Sequence, residues 1–533
     1  MKNATFSDLQ SFLEKPDSYP HPVDDLQYIQ THISHVYIAG SFVYKFKKAI
    51  DFGFLDYSTL QKRKEFCYRE IELNRRLTEG VYLGVVGIAE HERGYRFEEN
   101  PESQEIVEYA VKMEKLSDEH FLHQYIKEKR LENEHLDRIA DILSDFYKKQ
   151  EKGKELSKWG TVDAIKTNTD ENFDQTESFI DHTINGNTFK AINFFTNQYL
   201  DKHNQLFQKR IDEERIVDGH GDLHLDHIHI TPQKIQIYDC IEFNDRFRYG
   251  DLAADLAFLA MDLDFNQCRN EERYFVRQMS AKMGDPDLLQ IIDFYKCYRA
   301  YVKGKVKSLQ SVEDEIDEKD RKPLVDRASD YFKLSLRYAL FGSGPVVIVV
   351  MGRVGAGKST IAKHLSDQIN SDYYSSDIIR KTLAGITINE RTPLQKRESL
   401  YSSQMSGETY ENLISKAIES FKKGKPIILD ATFSNPKLRK KLITTLEKEK
   451  IEYKFVETVA DNTTIVKRLK EREEKKDVIS DARLEDFERV SSFYNSPVEI
   501  DNKHMIKINT DHSFGETISQ LYTKLINRNL EKV

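Results

Sequence analysis

The residues Gly352-Arg353-Val354-Gly355-Ala356-Gly357-Lys358-Ser359-Thr360 have the types and spacing that hold a phosphate chain. They follow a β-branched apolar run, Val346 to Val350, and lead into Ile361-Ala362-Lys363-His364-Leu365, which has helical character. Glycines let the backbone fold round an anion with its N–H groups inward, and the helix behind adds the positive end of its dipole. Lys358 offers a charge to the β- and γ-phosphates, and Ser359 offers a hydroxyl to Mg2+. Strand, G-x-x-x-x-G-K-S and helix in that order imply a nucleotide site.

Further groups follow this loop. Asp377 and Arg380 are three apart, so on the opening turn of a helix they share a face. A carboxylate there can take a hydroxyl proton while the guanidinium grips an anion. Pro426 to Phe433 reads as a buried strand carrying Asp430 near its end, where a carboxylate serves Mg2+, with Thr432 beside it and Arg439 as an anion contact. Arg468 and Arg472 are four apart on one helical face, and Arg483 is a weaker cation of the same kind.

A second constellation lies upstream. Asp218-Gly219-His220-Gly221-Asp222-Leu223-His224-Leu225-Asp226-His227-Ile228-His229 is followed by Tyr238-Asp239-Cys240-Ile241-Glu242. Phosphoryl transfer to a hydroxyl needs one carboxylate to orient or deprotonate the acceptor and another to hold Mg2+ on the nucleotide. Asp222 in a tight loop and Asp239 after a short strand pair supply both. The histidines invite a zinc reading, but no cysteine and no helical H-x-x-x-H frame supports it.

The elements that must position these groups fall into two styles. From residue 346 onward strands and helices alternate, with strands near 346–351, 372–375, 426–430, 452–458 and 505–509, so a parallel sheet is expected. Upstream, a hairpin spans 31–47, a helix 58–79, and strands run near 81–90 and 104–113. Helices are expected over 117–212, short strands and tight loops over 214–245, then helices again. The charged run 312–323 is the most linker-like stretch.

Length and composition suit this division. At 533 residues the chain is too long for one ordinary domain, and 39% hydrophobic with 32% charged residues describes a globular protein with ample core. The net charge of −9 is uneven: residues 345–533 hold 32 Lys+Arg and 27 Asp+Glu, about +5, which leaves about −14 for the rest. The initial segment has no signal-peptide core and no apolar run is long enough for a membrane span. Cys67, Cys240, Cys268 and Cys297 form no C-x-x-C pair, so reduced thiols and a cytoplasmic location are expected.

On the upstream motifs the chain, over roughly residues 25–310, resembles aminoglycoside-phosphotransferase-like kinases, whose catalytic loop reads H-G-D-x-x-x-x-N. The resemblance implies Asp222 as catalytic base and Asp239 as metal ligand. It implies Lys45 as the strand lysine on the α- and β-phosphates, Glu70 as its helix partner, residues 111–116 as the adenine hinge, and Asp251 as the brace of the catalytic loop. His227 stands where that family has a metal-binding Asn, and imidazole is a poor ligand for a hard cation. Residues 345–533 resemble the P-loop kinase group that includes AAA-type, gluconate-kinase-like, zeta-toxin and polynucleotide-kinase enzymes. That resemblance implies that Arg468 and Arg472 belong to a lid over the transferred phosphate.

The expected architecture is therefore an α+β protein-kinase-like domain over 1–335 followed by an α/β P-loop NTPase domain with a parallel sheet over 340–533. The expected activity is ATP- and Mg2+-dependent phosphoryl transfer to a hydroxyl of a small molecule or a nucleic-acid end. The alternatives are a polynucleotide 5′-hydroxyl kinase regulated by an N-terminal pseudokinase, or an ATPase switch without an acceptor. Steep salt dependence of substrate binding would favour a nucleic-acid acceptor.

Overall fold

The computed structural model describes residues 6–92, 94–103, 105–314, 316–389, 392, 394–474, 484 and 487–532. The chain packs into two compact units, one of residues 1–168 with 203–299, the other of residues 169–202 with 300–533.

The first unit opens on a six-stranded antiparallel sheet. Its strands are β1 (Leu26–Gln30), β2 (Ser34–Ala39), β3 (Phe42–Lys47), β4 (Tyr82–His91), β5 (Gly94–Glu98) and β6 (Ile106–Glu114), in the order β1-β2-β3-β6-β4-β5. Because side chains alternate across a strand, β3 sends Tyr44 and Phe46 into one core with Tyr37 and Leu13. Val43, Lys45 and Lys47 take the other face, where the helix Leu60–Asn74 packs through Cys67 and Ile71. Thr59 caps that helix by accepting the N–H of Lys62 at 3.2 Å. Its register buries Glu70 completely and leaves Glu72 exposed. Strands β1 and β5, one at each edge of the sheet, carry no sequence signal: β1 is mostly exposed and β5 has no buried residue.

The remainder of this unit is largely helical. Two short ribbons pair β7 (Ile216–Asp218) with β10 (Tyr249–Asp251), and β8 (Ile228–Ile230) with β9 (Ile235–Ile237). Behind them runs the apolar helix Leu252–Phe265, capped by Asp251.

The second unit is built on a parallel sheet in the order β12-β13-β11-β14-β15, with β11 (Val346–Gly352), β12 (Asp372–Ser375), β13 (Ile427–Asp430), β14 (Glu452–Val459) and β15 (Met505–Asn509). All of β11 is buried, as a central parallel strand covered on both faces must be. Chain order reverses around β11, the crevice position where open α/β sheets bind ligands. The helices Gly186–Lys202 and Glu318–Phe341 pack in this unit against Phe514–Leu530. The linker-like run 312–323 is therefore helix from Glu318 onward, the first turns of Glu318–Phe341. Among the described residues no helix is long and apolar enough to cross a membrane.

Candidate active sites

In the second unit β11 ends in the turn that the glycines require. Gly352, Gly355 and Gly357 have φ of 142°, 78° and 84°. A Cβ on Gly352 would lie 2.3 Å from the Thr458 carbonyl, and one on Gly355 would lie 2.7 Å from Ile465 Cγ2. Lys358 opens the helix Lys358–Ile369 and donates to the Arg353 carbonyl at 2.9 Å. Burial pulls its ammonium below the usual lysine range.

Asp430, at the end of β13, is buried and accepts the Tyr373 hydroxyl at 2.7 Å. Burial raises its carboxyl, while Lys358, Ser359 and Tyr373 oppose the shift. Parallel pairing sets Asp430 beside Val350 and Ser375. The register of three strands, rather than sequence proximity, therefore carries it to the phosphate loop.

Gly355, Gly357, Ser359, Thr360, Tyr373, Asp377, Arg468 and Arg472 all face one cavity of about 530 Å³. Asp377 and Arg380 share the first turns of the helix Ser376–Leu383, 3.3 Å apart. Asp377 faces the cavity, whereas Arg380 is buried against the Tyr401 ring at 4.8 Å. Arg468 donates to Thr510 Oγ1 at 3.0 Å, and Thr510 donates to the Ala356 carbonyl of the loop. Arg472 also faces the cavity, and burial lowers its pKa below the usual arginine value. Tyr373, His512 and Phe514 join the lining without a motif to announce them.

One expectation here is corrected. Arg439 is fully buried, binds Glu499 at 2.5 Å and donates to the Phe433 carbonyl, so its charge is consumed inside the fold and no anion meets it. Thr432 lies near the Tyr410 hydroxyl, 3.4 Å away. Arg483 falls outside the described residues.

In the first unit Lys45 bridges two carboxylates, Glu70 at 2.9 Å and Asp239 at 2.5 Å. Burial opposes its charge, but Asp239 and Glu70 outweigh that and hold its pKa well above the lysine range. Asp239 follows β9 in a left-handed conformation, φ 63°, which its short polar side chain tolerates. Burial favours its neutral acid, yet Lys45 and His227 hold its carboxyl well below the usual range.

Lys47, one pleat along β3, is fully buried between Glu70 at 2.8 Å and Glu242. Tyr57 donates to the same Glu242 at 2.5 Å. Alternation along β3 and the three-residue step from Asp239 to Glu242 were the available signals for this second ion-pair set.

Asp222 lies in a loop fixed from behind. The His220 and Gly221 N–H groups each donate to Asp255 at 2.8 Å, and the Leu225 N–H donates to Asp262 at 3.1 Å. Asp255, not Asp251, braces the loop. Asp251 is instead held by Arg210 and caps its own helix through the Ala253 N–H. His227, buried and next to His224, is pushed down to about 4. Its Nδ1 sits 2.9 Å from the Asp222 carbonyl and its Nε2 3.5 Å from Asp239 Oδ2. Donor atoms of Asp222, His224 and His227 lie within 4.8 Å of one another.

Residues 347–497 match the AAA domain family. The chain is 29% identical over 424 residues to an uncharacterized protein of Mycobacterium tuberculosis, covering 79% of this chain and 81% of that one. Among solved structures it resembles a choline/ethanolamine kinase family protein from Mesorhizobium loti, at 12% identity, TM-score 0.38, covering 62% of this chain and 95% of that one. It also resembles a gluconokinase from Sinorhizobium meliloti, at 15% identity, TM-score 0.26, covering 35% of this chain and 95% of that one. The first unit therefore carries an antiparallel sheet with the Glu70 helix against it, and the second a parallel sheet with the phosphate loop after its central strand.

Proposed function

We propose that the protein is an ATP-dependent phosphotransferase with two nucleotide sites, acting in the cytoplasm on hydroxyl acceptors. The observation that carries this reading is the cavity of about 530 Å³, which gathers Ser359, Asp377, Arg468 and Arg472 around the phosphate loop. Ser359 and Asp430 offer only oxygen donors, which suits Mg2+. Bound MgATP would supply the phosphoryl group and neutralise its charge.

The chain's own residues do the rest. Lys358, now on the Arg353 carbonyl, has no carboxylate at hydrogen-bond distance among the described residues and turns to the phosphates. Asp377 accepts the acceptor proton, Arg380 holds its carboxylate, and Arg468 and Arg472 stabilise the charge on the transferred group. In the N-terminal half Asp222 is the base, Asp239 the metal ligand, Lys45 the phosphate contact and Glu70 its orienting partner. Functionally the halves divide as 1–335 and 340–533.

Transfer of labelled γ-phosphate from ATP into a metabolite extract and an oligonucleotide pool tests this reading. Lys358→Ala should abolish one set of labelled products, and Asp222→Ala a different set. ATP hydrolysis with no labelled acceptor in either pool would overturn it.

A further inference from the structure

The hydrogen bonding of His227 specifies more than its presence. Its Nδ1 lies 2.9 Å from the Asp222 carbonyl oxygen, which can only accept, so Nδ1 carries the proton. In the neutral ring Nε2 is then a bare lone pair, and it faces Asp239 Oδ2 at 3.5 Å. That is an acceptor opposite an acceptor, beyond hydrogen-bond length. The other oxygen of Asp239 is taken by Lys45. Two bonds of about 2.1 Å to one cation, at angles between octahedral and tetrahedral, place their donor atoms about 3.0–3.5 Å apart. A ring N–H on a backbone carbonyl is also the usual support of a metal-binding histidine.

His224 plays a different part. Its Nδ1 accepts the Asp226 N–H at 3.3 Å, so its proton sits on Nε2, 3.3 Å from Asp222 Oδ2. It lies against His227, ring centroids 3.9 Å apart and tilted by 38°, and orients the Asp222 carboxylate rather than offering a lone pair.

The donor set toward the cation is therefore one imidazole nitrogen and one carboxylate oxygen. Mg2+ demands oxygen and keeps its waters, whereas nitrogen donors favour first-row transition cations. We propose that His227 Nε2 and Asp239 Oδ2 form a site for a divalent first-row transition cation, for which Mn2+ is the spectroscopic probe. The two halves of one chain then take different metals, with Mg2+ at the oxygen-only pair Ser359 and Asp430. The inference rests on the reading of the upstream site as a metal-nucleotide site.

The test is Mn2+ titration of the full-length protein in an Asp430→Asn background, followed by electron paramagnetic resonance. Loss of the aquo-ion signal reports binding, and pulsed measurement reports 14N coupling. One Mn2+ with imidazole 14N coupling is expected. His227→Asn should abolish the coupling, weaken Mn2+ about 10-fold or more, and let Mg2+ displace it at a correspondingly lower concentration. His224→Gln should retain the coupling. Absence of 14N coupling overturns the site, as does His227→Asn with unchanged Mn2+ affinity, or coupling that follows His224 instead. Coupling without any phosphoryl transfer would support the metal site while overturning the phosphotransferase reading, so the two failures are distinct.

Discussion

Lys45 and Lys47 share a strand face and the carboxylate of Glu70, yet the protein uses them differently. Lys45 keeps about 15% of its side-chain surface and reaches Asp239, while Lys47 is sealed at 1% against Glu70 and Glu242. Removing one partner of a buried pair strands the other charge. Lys47→Met should therefore cost about 3–5 kcal/mol in denaturant unfolding of the N-terminal half. Lys45→Met should cost less stability and remove Asp222-dependent phosphoryl transfer. Equal losses of stability would refute the division of labour.

A histidine in the other half makes a pH prediction at the same scale. His364 Nε2 lies 3.3 Å from the Tyr522 hydroxyl and its ring meets Phe514 edge-on; burial lowers its pKa below 6.5. The unfolded chain takes up the proton first as pH falls, so stability is full above pH 6.5 and is lost on acidification through the folded pKa. The denaturant midpoint of the C-terminal half should be lower at pH 5.5 than at pH 7.5. His364→Gln should shrink that difference, and an unaltered pH slope would count against it.

At the scale of elements, both halves position chemistry at strand ends braced by helices. Helix Leu252–Phe265 holds the Asp222 loop through Asp255 and Asp262, seven residues apart and so on one face. In the C-terminal half, helix Asn462–Glu473 presses Ile465 against Gly355, and Arg468 and Arg472, three and seven residues further on and so on the same face, line the cavity. Gly355→Ala would impose both a strained φ and a 2.7 Å contact. A loss of about 1–3 kcal/mol is expected, with weaker nucleotide binding in isothermal titration. Full retention of both would show that the loop has room the contact denies.

For the whole molecule, the C-terminal half is more than its P-loop sheet. Helix Glu318–Phe341 buries Tyr331, Phe332, Leu336, Tyr338 and Leu340, and packs with Gly186–Lys202 and Phe514–Leu530. Thr188 donates to Gln368, and Asn529 donates to the Tyr338 and Ala339 carbonyls. A fragment of residues 340–533 should therefore melt several degrees below the corresponding transition of the full chain and bind hydrophobic dye. A fragment as stable as the parent would show that these helices are dispensable.

Local spacing alone determined much of this protein. The phosphate loop, the acid that ends β13, the βα alternation and the H-G-D loop are each written within a few residues, because a turn, a cap or a strand end depends on nearby backbone. Even His227 was visible as an oddity, though its proton was not. What crosses long stretches of chain was left to the tertiary structure. The register of β11 with β13 decided that Asp430 meets the phosphate loop, and the burial of Arg439 against Glu499 decided that this cation binds no anion. Packing of helix Leu252–Phe265 chose Asp255 over Asp251 as the brace, since only one of two nearby carboxylates was free of a cap. The facing of His227 Nε2 and Asp239 likewise came from packing, which brings the residue after β9 back to the loop that holds Asp222 and His227.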